Sequence, residues 1–396
     1  MNETPKAERP HVVFFGRTNV GKSSLVNAIA GQALSLVADQ PGTTTDPVEK
    51  AMEMLPAGPV LLIDTPGLDD TSELGSLRVA RAQRELVHTD LAVLVGEAGT
   101  HLSASETAFL SQLTKARVPV LTVFNKCDRL PLTPTSEDIF VSAKTGYGIK
   151  ALIERIAHTL KEEAIDRPLI RDLVAPNDCC ILVVPIDSAA PKGRLILPQQ
   201  QVIRDLLAAQ AEALVVSCES LPHALTRITP KLVVCDSQVF ARVSAATPSS
   251  IPLTSFSILM ARYKGTLKPQ IEGIAHIPHL KDHDRILMAE GCTHHRQCDD
   301  IGTVKIPRWL TEHTGKNLAF TASSGKGYPD DLSPYAMVIL CGGCMVNARE
   351  MQYRLRKAQD AGIAVTNYGL CIAYLSGVLQ RSLELFPDLP PIPNLS

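Results

Sequence analysis

The sequence predicts an α/β chain: an N-terminal domain on a parallel-type sheet, a small α/β domain, and a C-terminal domain carrying cysteine and histidine. Three observations predict it. Short apolar runs alternate with helical patterns along much of the chain, as strand–helix–strand units do. Polar, glycine-containing motifs stand at the ends of several of those runs. Cys292, His294, Cys341 and Cys344 crowd into the last third of 396 residues. The expected domains are 1–168, 176–264 and 265–396, with a linker over Asp166 to Pro176, where two prolines break the apolar period.

Hydrophobic residues are 45% of the chain and charged residues 20%, the usage of a globular protein with enough length for each domain to bury a core. Lys+Arg number 39 against Asp+Glu 41, so no overall positive field draws in a polyanion, and nucleic acid is not an expected partner. Met1 to Pro10 is short and polar, and no uninterrupted apolar stretch reaches the ~18 residues of a membrane span. A cytoplasmic protein with no membrane partner is expected. Ten cysteines in a reducing compartment are ligands or buried apolar residues rather than disulfides. Cys127, Cys179, Cys180, Cys218 and Cys235 lie in or beside apolar runs and are expected to be buried.

In the first domain His11 to Phe15 reads as a strand and Leu25 to Ala30 opens a helix. Between them Gly16-Arg-Thr-Asn19-Val-Gly21-Lys22-Ser23 fits the phosphate loop G-x-x-x-x-G-K-S, with Ser24 following. Glycines allow a tight turn whose N–H groups face phosphate oxygens, and the helix N-terminus adds partial positive charge. Lys22 would reach the β and γ phosphates and Ser23 would bind Mg²⁺. Asp64-Thr-Pro-Gly67 follows the apolar run Val60 to Ile63, which puts the Asp64 carboxylate at a strand end, ready for the Mg²⁺ shell. Asn125-Lys126-Cys127-Asp128 follows Val118 to Phe124. The Asp128 carboxylate can accept from guanine N1–H and the exocyclic amine, donors that adenine lacks, so GTP is expected over ATP. Ser142-Ala143-Lys144 would add backbone contacts to guanine O6.

Asn19-Val-Gly-Lys-Ser, Gly42-Thr-Thr-Thr-Asp46 and Asp64-Thr-Pro-Gly-Leu68 resemble the bacterial Era/TrmE/EngA-type GTPases. That resemblance implies a Mg²⁺-contacting threonine in the first switch, for which Thr44 is chosen, and places Lys22, Thr44, Asp64 and Gly67 around the reacting phosphate. It also implies a potassium ion held through Asn19, the alternative being that Asn19 only stabilises its own loop. Leu68 stands where Ras-like enzymes carry a water-orienting glutamine, so slow turnover is expected.

Beyond the linker, Ile181 to Ile186, Ala213 to Ser217, Lys231 to Cys235 and Ile251 to Phe256 are short apolar runs separated by helical patterns such as Gln200 to Ala211. They suggest a small parallel or mixed sheet with helices. No nucleotide loop recurs, so an interaction or dimerisation module is the expectation. Cys235, ending an apolar run, reads as buried rather than nucleophilic.

In the last domain Gly291-Cys292-Thr-His294 and Cys341-Gly-Gly-Cys344 could converge on one metal or cluster. A Cys-x-x-Cys turn puts two sulfurs close together, and its glycines let N–H groups turn toward them. Zinc in a Cys₃His site satisfies the ligand count, and a redox dithiol at Cys341 and Cys344 is a third reading that leaves Cys292 and His294 without a role. The arrangement resembles the iron–sulfur signature of the HydF family, the GTPases that mature FeFe-hydrogenases. The resemblance extends to Ser255-Phe-Ser-Ile-Leu-Met-Ala-Arg-Tyr-Lys-Gly265 and the GTPase motifs, nearly the whole chain. It implies an N-terminal GTPase, a middle dimerisation domain, hence a homodimer, and a C-terminal cluster domain. It further implies a 4Fe-4S cluster on Cys292, Cys341 and Cys344, with His294 at an exchangeable position and Cys298 a bystander. The implied cargo is a diiron precursor, built by two radical-SAM maturation enzymes and passed to apo FeFe-hydrogenase, with GTP as a switch. A zinc-stabilised regulatory GTPase or a ribosome-associated GTPase is the alternative expectation.

Overall fold

The computed structural model describes residues 6–32, 49–69, 85–129, 138–163, 167–186, 195–291, 300–325 and 327–389. They form two compact units, Met1–Ile165 and Asp166–Ser396. Thr44, Cys292, His294 and Cys298 lie outside the described residues.

In the first unit β1 (His11–Phe15), α1 (Lys22–Gln32), β2 (Glu49–Met54), β3 (Gly58–Asp64), β4 (Leu91–Glu97), α2 (Ala104–Lys115), β5 (Val120–Asn125), β6 (Ile139–Phe140) and α3 (Ile149–Glu163) follow in order. The sheet order is β2-β3-β1-β4-β5-β6, with only β2 antiparallel to its neighbour. Alternate residues of β1 supply opposite faces: Val12 and Phe14 pack in one apolar cluster, Val13 and Phe15 in the other. A parallel sheet covered on both faces explains why β1 and β4 read as continuous apolar runs. The apolar positions of α3, including Leu152, Ile156 and Leu160, line its buried stripe.

The second unit holds two four-stranded sheets, both wholly parallel. The first is built from β7 (Cys179–Val183), α4 (Leu197–Ala208), β8 (Glu212–Val216), α5 (Leu221–Arg227), β9 (Leu232–Cys235), α6 (Phe240–Ala246), β10 (Leu253–Ser255) and α7 (Phe256–Tyr263). The second follows α8 (Leu267–Ile274) and contains β11 (Arg285–Ala289), α9 (Ile306–Thr314), β12 (Ala319–Ser323), β13 (Met337–Leu340), α10 (Ala348–Asp360), β14 (Ala364–Asn367) and α11 (Tyr368–Leu375). One apolar core takes residues from both sheets, among them Ile181, Val233, Ile286 and Ile339.

The expected strands are shorter than the apolar runs that announced them. β7 stops at Val183, before Pro185, which has no N–H to give a ladder. Phe256 is already helical because the Ser255 hydroxyl accepts the Ile258 N–H at 3.3 Å and caps α7. Of the five cysteines expected to be buried, Cys127, Cys180, Cys218 and Cys235 are, whereas Cys179 is half-buried.

The two sheets of this unit repeat one plan. Their orders, β10-β9-β7-β8 and β12-β11-β13-β14, are the same when numbered within each sheet: the first strand lies between the second and third, and the fourth lies outside the third. The final strand–helix pairs agree at scattered positions, with Thr254, Ala261, Gly265 and Leu267 matched at a constant offset by Thr366, Ala373, Gly377 and Leu379. Both helices end alike. Gly265 and Gly377 take φ of 71° and 70°, and the bonds Thr266 N–H to Ala261 O and Val378 N–H to Ala373 O are both 2.9 Å.

Candidate functional site

The nucleotide loops gather where β1, β3, β5 and β6 end. In an open α/β sheet this is the edge where ligands bind. Asn19 and Gly21 both have positive φ, 63° and 91°, and a Cβ on Gly21 would come 2.4 Å from Asn125 Nδ2. Glycine is therefore required there by backbone angle and by space. Lys22 is buried and donates to the carbonyls of Gly16 at 3.1 Å and Arg17 at 2.9 Å. Ser23 and Ser24 are exposed on the first turn of α1. The Ser23 hydroxyl donates to Asp64 Oδ2, while Asp64 Oδ1 is buried with no hydrogen-bond partner among the described residues. A hydroxyl beside a carboxylate with one free oxygen is the donor set that Mg²⁺ takes from this loop, so the residues fit the ion.

Burial holds the Lys22 ammonium below its ordinary value, with Asp64, Asp69 and Glu106 opposing the shift. Burial likewise raises the Asp64 carboxyl, against the Ser23 bond and the Lys22 charge. Nucleotide phosphates bind the charged ammonium, so GTP affinity should be full below the lowered Lys22 pKa and fall as pH rises through it. Titrating a fluorescent guanine nucleotide at increasing pH checks this. Affinity that stays flat up to the ordinary lysine value of 10.5 would contradict it.

On the base side Asn125 is 2% exposed and acts as a clamp. Its Nδ2 donates to the Val20 carbonyl at 3.0 Å and its Oδ1 accepts the Ala143 N–H at 3.0 Å, so it ties the phosphate loop to the Ser142-Ala143-Lys144 segment. Lys126 has φ of 64° and reaches Glu97 Oε2 at 3.1 Å. Asp128 accepts from the Ser142 hydroxyl at 2.6 Å, which holds its carboxyl below the ordinary value and ready to accept from guanine. Lys144 is exposed at the rim.

Three contributors were not singled out from the sequence. Glu106 is fully buried, accepts Ser103 N–H at 2.8 Å in a capping box, and meets Arg17 Nε at 3.2 Å. Thr18 donates its N–H and hydroxyl to Asp69 Oδ1 at 2.7 and 2.9 Å, and Gly67 lies so near Thr18 that a Cβ would sit 2.1 Å from its hydroxyl. Glu97 also pairs with Arg129 at 3.3 Å. Capping-box spacing at Ser103 and Glu106 was the one signal available in the sequence. Leu68 is buried with Phe15, Ile63 and Phe109, where it can orient no water.

In the second unit β11 and β13 are adjacent parallel strands, with Ala289 opposite Leu340. The chain leaves β11 for β12 on one side and returns to β13 on the other, so the crevice between their C-terminal ends is a topological switch point. Cys341 begins there. Its N–H donates to Ala289 O at 2.9 Å, and its Sγ accepts from Gly291 N–H at 2.9 Å and Gly343 N–H at 3.4 Å. Gly343 has φ of 64°, and the Val346 N–H closes the turn onto its carbonyl at 3.0 Å. Burial raises the Cys341 thiol, and the two N–H groups oppose that by favouring the thiolate. Cys344 is half-buried in the same turn. Gly291, the residue before Cys292, approaches so closely that a Cβ would be 2.3 Å from Val346. By contrast burial pushes Cys180 and Cys371 up to about 12 and Cys235 well above its ordinary value, which leaves them inert.

Comparison with known proteins assigns the family. Residues 169–265 match the Hydrogen maturase F dimerization domain and residues 268–385 the Hydrogen maturase F tetramerization domain, together more than half of the chain. The chain belongs to the hydrogen maturase F (HydF) family. Residues 11–126 match the 50S ribosome-binding GTPase family. The matched models thus describe a hydrogenase-maturation protein with an N-terminal GTPase domain. Relatives include the tRNA modification GTPase MnmE of Prochlorococcus marinus, 36% identical over 159 residues, 37% of this chain and 34% of that protein. MnmE of Nitrosomonas europaea is 38% identical over 148 residues, 36% and 32% respectively. The chain spans about a third of the length of these relatives. Among solved structures, Aquifex aeolicus Era bound to GDP.AlF4- is 19% identical, covering 52% of this chain and 92% of that one, with a TM-score of 0.32. The G domain of the T. maritima FeoB iron transporter is 25% identical, covering 40% and 100%, with a TM-score of 0.31. Among the described residues no helix is long and apolar enough to cross a membrane.

Proposed function

We propose that the chain is a GTP-switched carrier that holds a 4Fe-4S cluster at the β11–β13 switch point and delivers a diiron precursor to apo FeFe-hydrogenase. The observation that carries this reading is the Gly291 N–H on Cys341 Sγ. It brings the arm that continues into Cys292 against the Cys341–Cys344 turn, although the two are far apart in sequence. The donor set suits iron and sulfide: thiolates at a switch point, N–H groups aimed at sulfur, and glycines where a side chain would collide. Cys292, Cys341 and Cys344 would hold three irons. The fourth iron, on His294 or open, leaves a position for exchange, and the bound cluster would supply the attachment point for the cargo. Lys22, Ser23, Thr44, Asp64 and Gly67 would serve the γ-phosphate, with Asn19 on potassium and Asn125, Lys126, Asp128, Ser142, Ala143 and Lys144 on the base side.

GTP hydrolysis would bias partner binding rather than act on iron, because the nucleotide loops share no residue with the cysteine crevice. A homodimer suits the middle sheet, whose edge strand β8 exposes Leu214 and Val215 at 37% and 42%. The test is transfer. Protein produced with the two radical-SAM maturation enzymes should activate purified apo FeFe-hydrogenase, and protein produced without them should not. Hydrogenase that stays inactive with the fully loaded protein would rule out the carrier role.

A further inference from the structure

Two buried cations stand behind the cysteine crevice, and neither serves the nucleotide. Lys264, at the C-terminal end of α7, is 4% exposed. Its ammonium donates to the Gly343 carbonyl and, at 2.8 Å, to the Val346 carbonyl, both in the Cys341–Cys344 turn. Gln352 holds the Lys264 backbone through its carbonyl at 2.9 Å. Arg354, on α10, is 3% exposed. Its guanidinium donates to the Glu290 carbonyl at 3.2 Å and the Gly325 carbonyl at 2.7 Å, pairs with Glu350 one helical turn earlier, and lies 5.2 Å over the Tyr328 ring. Lys264 therefore grips the turn that carries Cys341 and Cys344, and Arg354 grips the strand end that leads into Cys292.

The geometry has a direct consequence for the sulfurs. A peptide whose carbonyl is drawn toward a buried cation sends its own N–H the other way. Glu290 and Gly291 share one peptide unit: its oxygen accepts from Arg354 and its N–H donates to Cys341 Sγ. On the other arm Lys264 anchors the turn through the Gly343 carbonyl, and the N–H of the same residue, in the preceding peptide unit, faces the same sulfur. Burying a lysine is costly unless its donors are used, and here they are spent on ligand-turn carbonyls. Both cations bond backbone carbonyls of the two arms that meet at Cys341 Sγ, Lys264 on the turn itself and Arg354 on the strand end.

We propose that Lys264, seconded by Arg354, is a positioning residue of the cysteine site. It fixes the Cys341–Cys344 turn with its N–H groups on sulfur, and its charge offsets the negative charge of a thiolate-bound cluster. This rests on the iron–sulfur reading of the site. A nearby positive charge favours the reduced, more negative state, so its removal lowers the reduction potential.

The test uses the full-length protein, reconstituted anaerobically with iron and sulfide. Lys264→Gln keeps hydrogen-bond donors but loses charge. It should retain the cluster, with a reduction potential shifted to more negative values by redox titration of its EPR signal. Lys264→Met loses the donors as well and should bind iron about tenfold more weakly or worse, as is usual when an outer partner is removed from a metal site. GTP hydrolysis, which Lys264 does not touch, should match wild type in both. Unchanged potential in Lys264→Gln together with wild-type iron content in Lys264→Met would overturn the proposal. A wild-type protein that takes up no iron–sulfur cluster would instead sink the reading of the site on which it rests. Should Lys264→Met fail to fold, the potential of Lys264→Gln alone decides.

Discussion

Lys22→Ala should lower kcat/KM for GTP hydrolysis by roughly a hundred-fold or more, the scale on which one preorganised charge or donor acts on a developing anion. The reason is positional. Lys22 is buried at the start of α1 with its ammonium folded over the carbonyls of Gly16 and Arg17, and alanine leaves the β and γ phosphates without the lysine charge. The substitution removes no core contact of the second unit. Iron uptake should therefore equal that of wild type, and steady-state phosphate release measured beside iron content checks both halves. A variant that hydrolyses GTP normally would show that the loop is not the reacting site.

Cys341→Ser should produce the opposite loss. Serine offers a harder, less readily ionised donor in a buried position where Gly291 and Gly343 present N–H groups at sulfur distances. Iron bound after anaerobic reconstitution should fall at least about tenfold, with GTP hydrolysis unchanged. Loss of both properties in either variant would contradict separate sites.

The nucleotide site was legible because its signals are local. A phosphate loop needs glycine and lysine within eight residues, so Gly16 to Ser23 announce it wherever they follow a strand. The long-range partners were not legible. Glu106 looks like one more exposed helix residue, yet it is buried under Arg17 and holds that loop from α2. Asn125 reads as a base-recognition residue, and its use as a clamp between Val20 and Ala143 appears only when β1 and β5 are set in one sheet.

At the proposed cysteine site the Cys341–Cys344 turn was legible and its support was not. Spacing puts Cys341 and Cys344 on one turn, but what joins them to Gly291 is the parallel pairing of β11 with β13, a contact without any local signal. A lysine at a helix end ordinarily reads as a solvated charge that favours the C-terminal dipole; Lys264 keeps that position while burying its head against Gly343 and Val346. The repeated sheet was hidden as well, because only scattered positions such as Gly265 and Gly377 still agree between the copies. Those glycines agree where a left-handed helix end demands them.

A crevice that gathers thiolates around iron and sulfide shows itself in the metal it retains. Anaerobic purification of the wild-type protein, followed by metal and sulfide analysis and low-temperature EPR of the reduced form, should give a brown protein with broad visible absorption, about four irons and four sulfides per chain, and a paramagnetic reduced cluster. A colourless protein carrying one zinc per chain would contradict it.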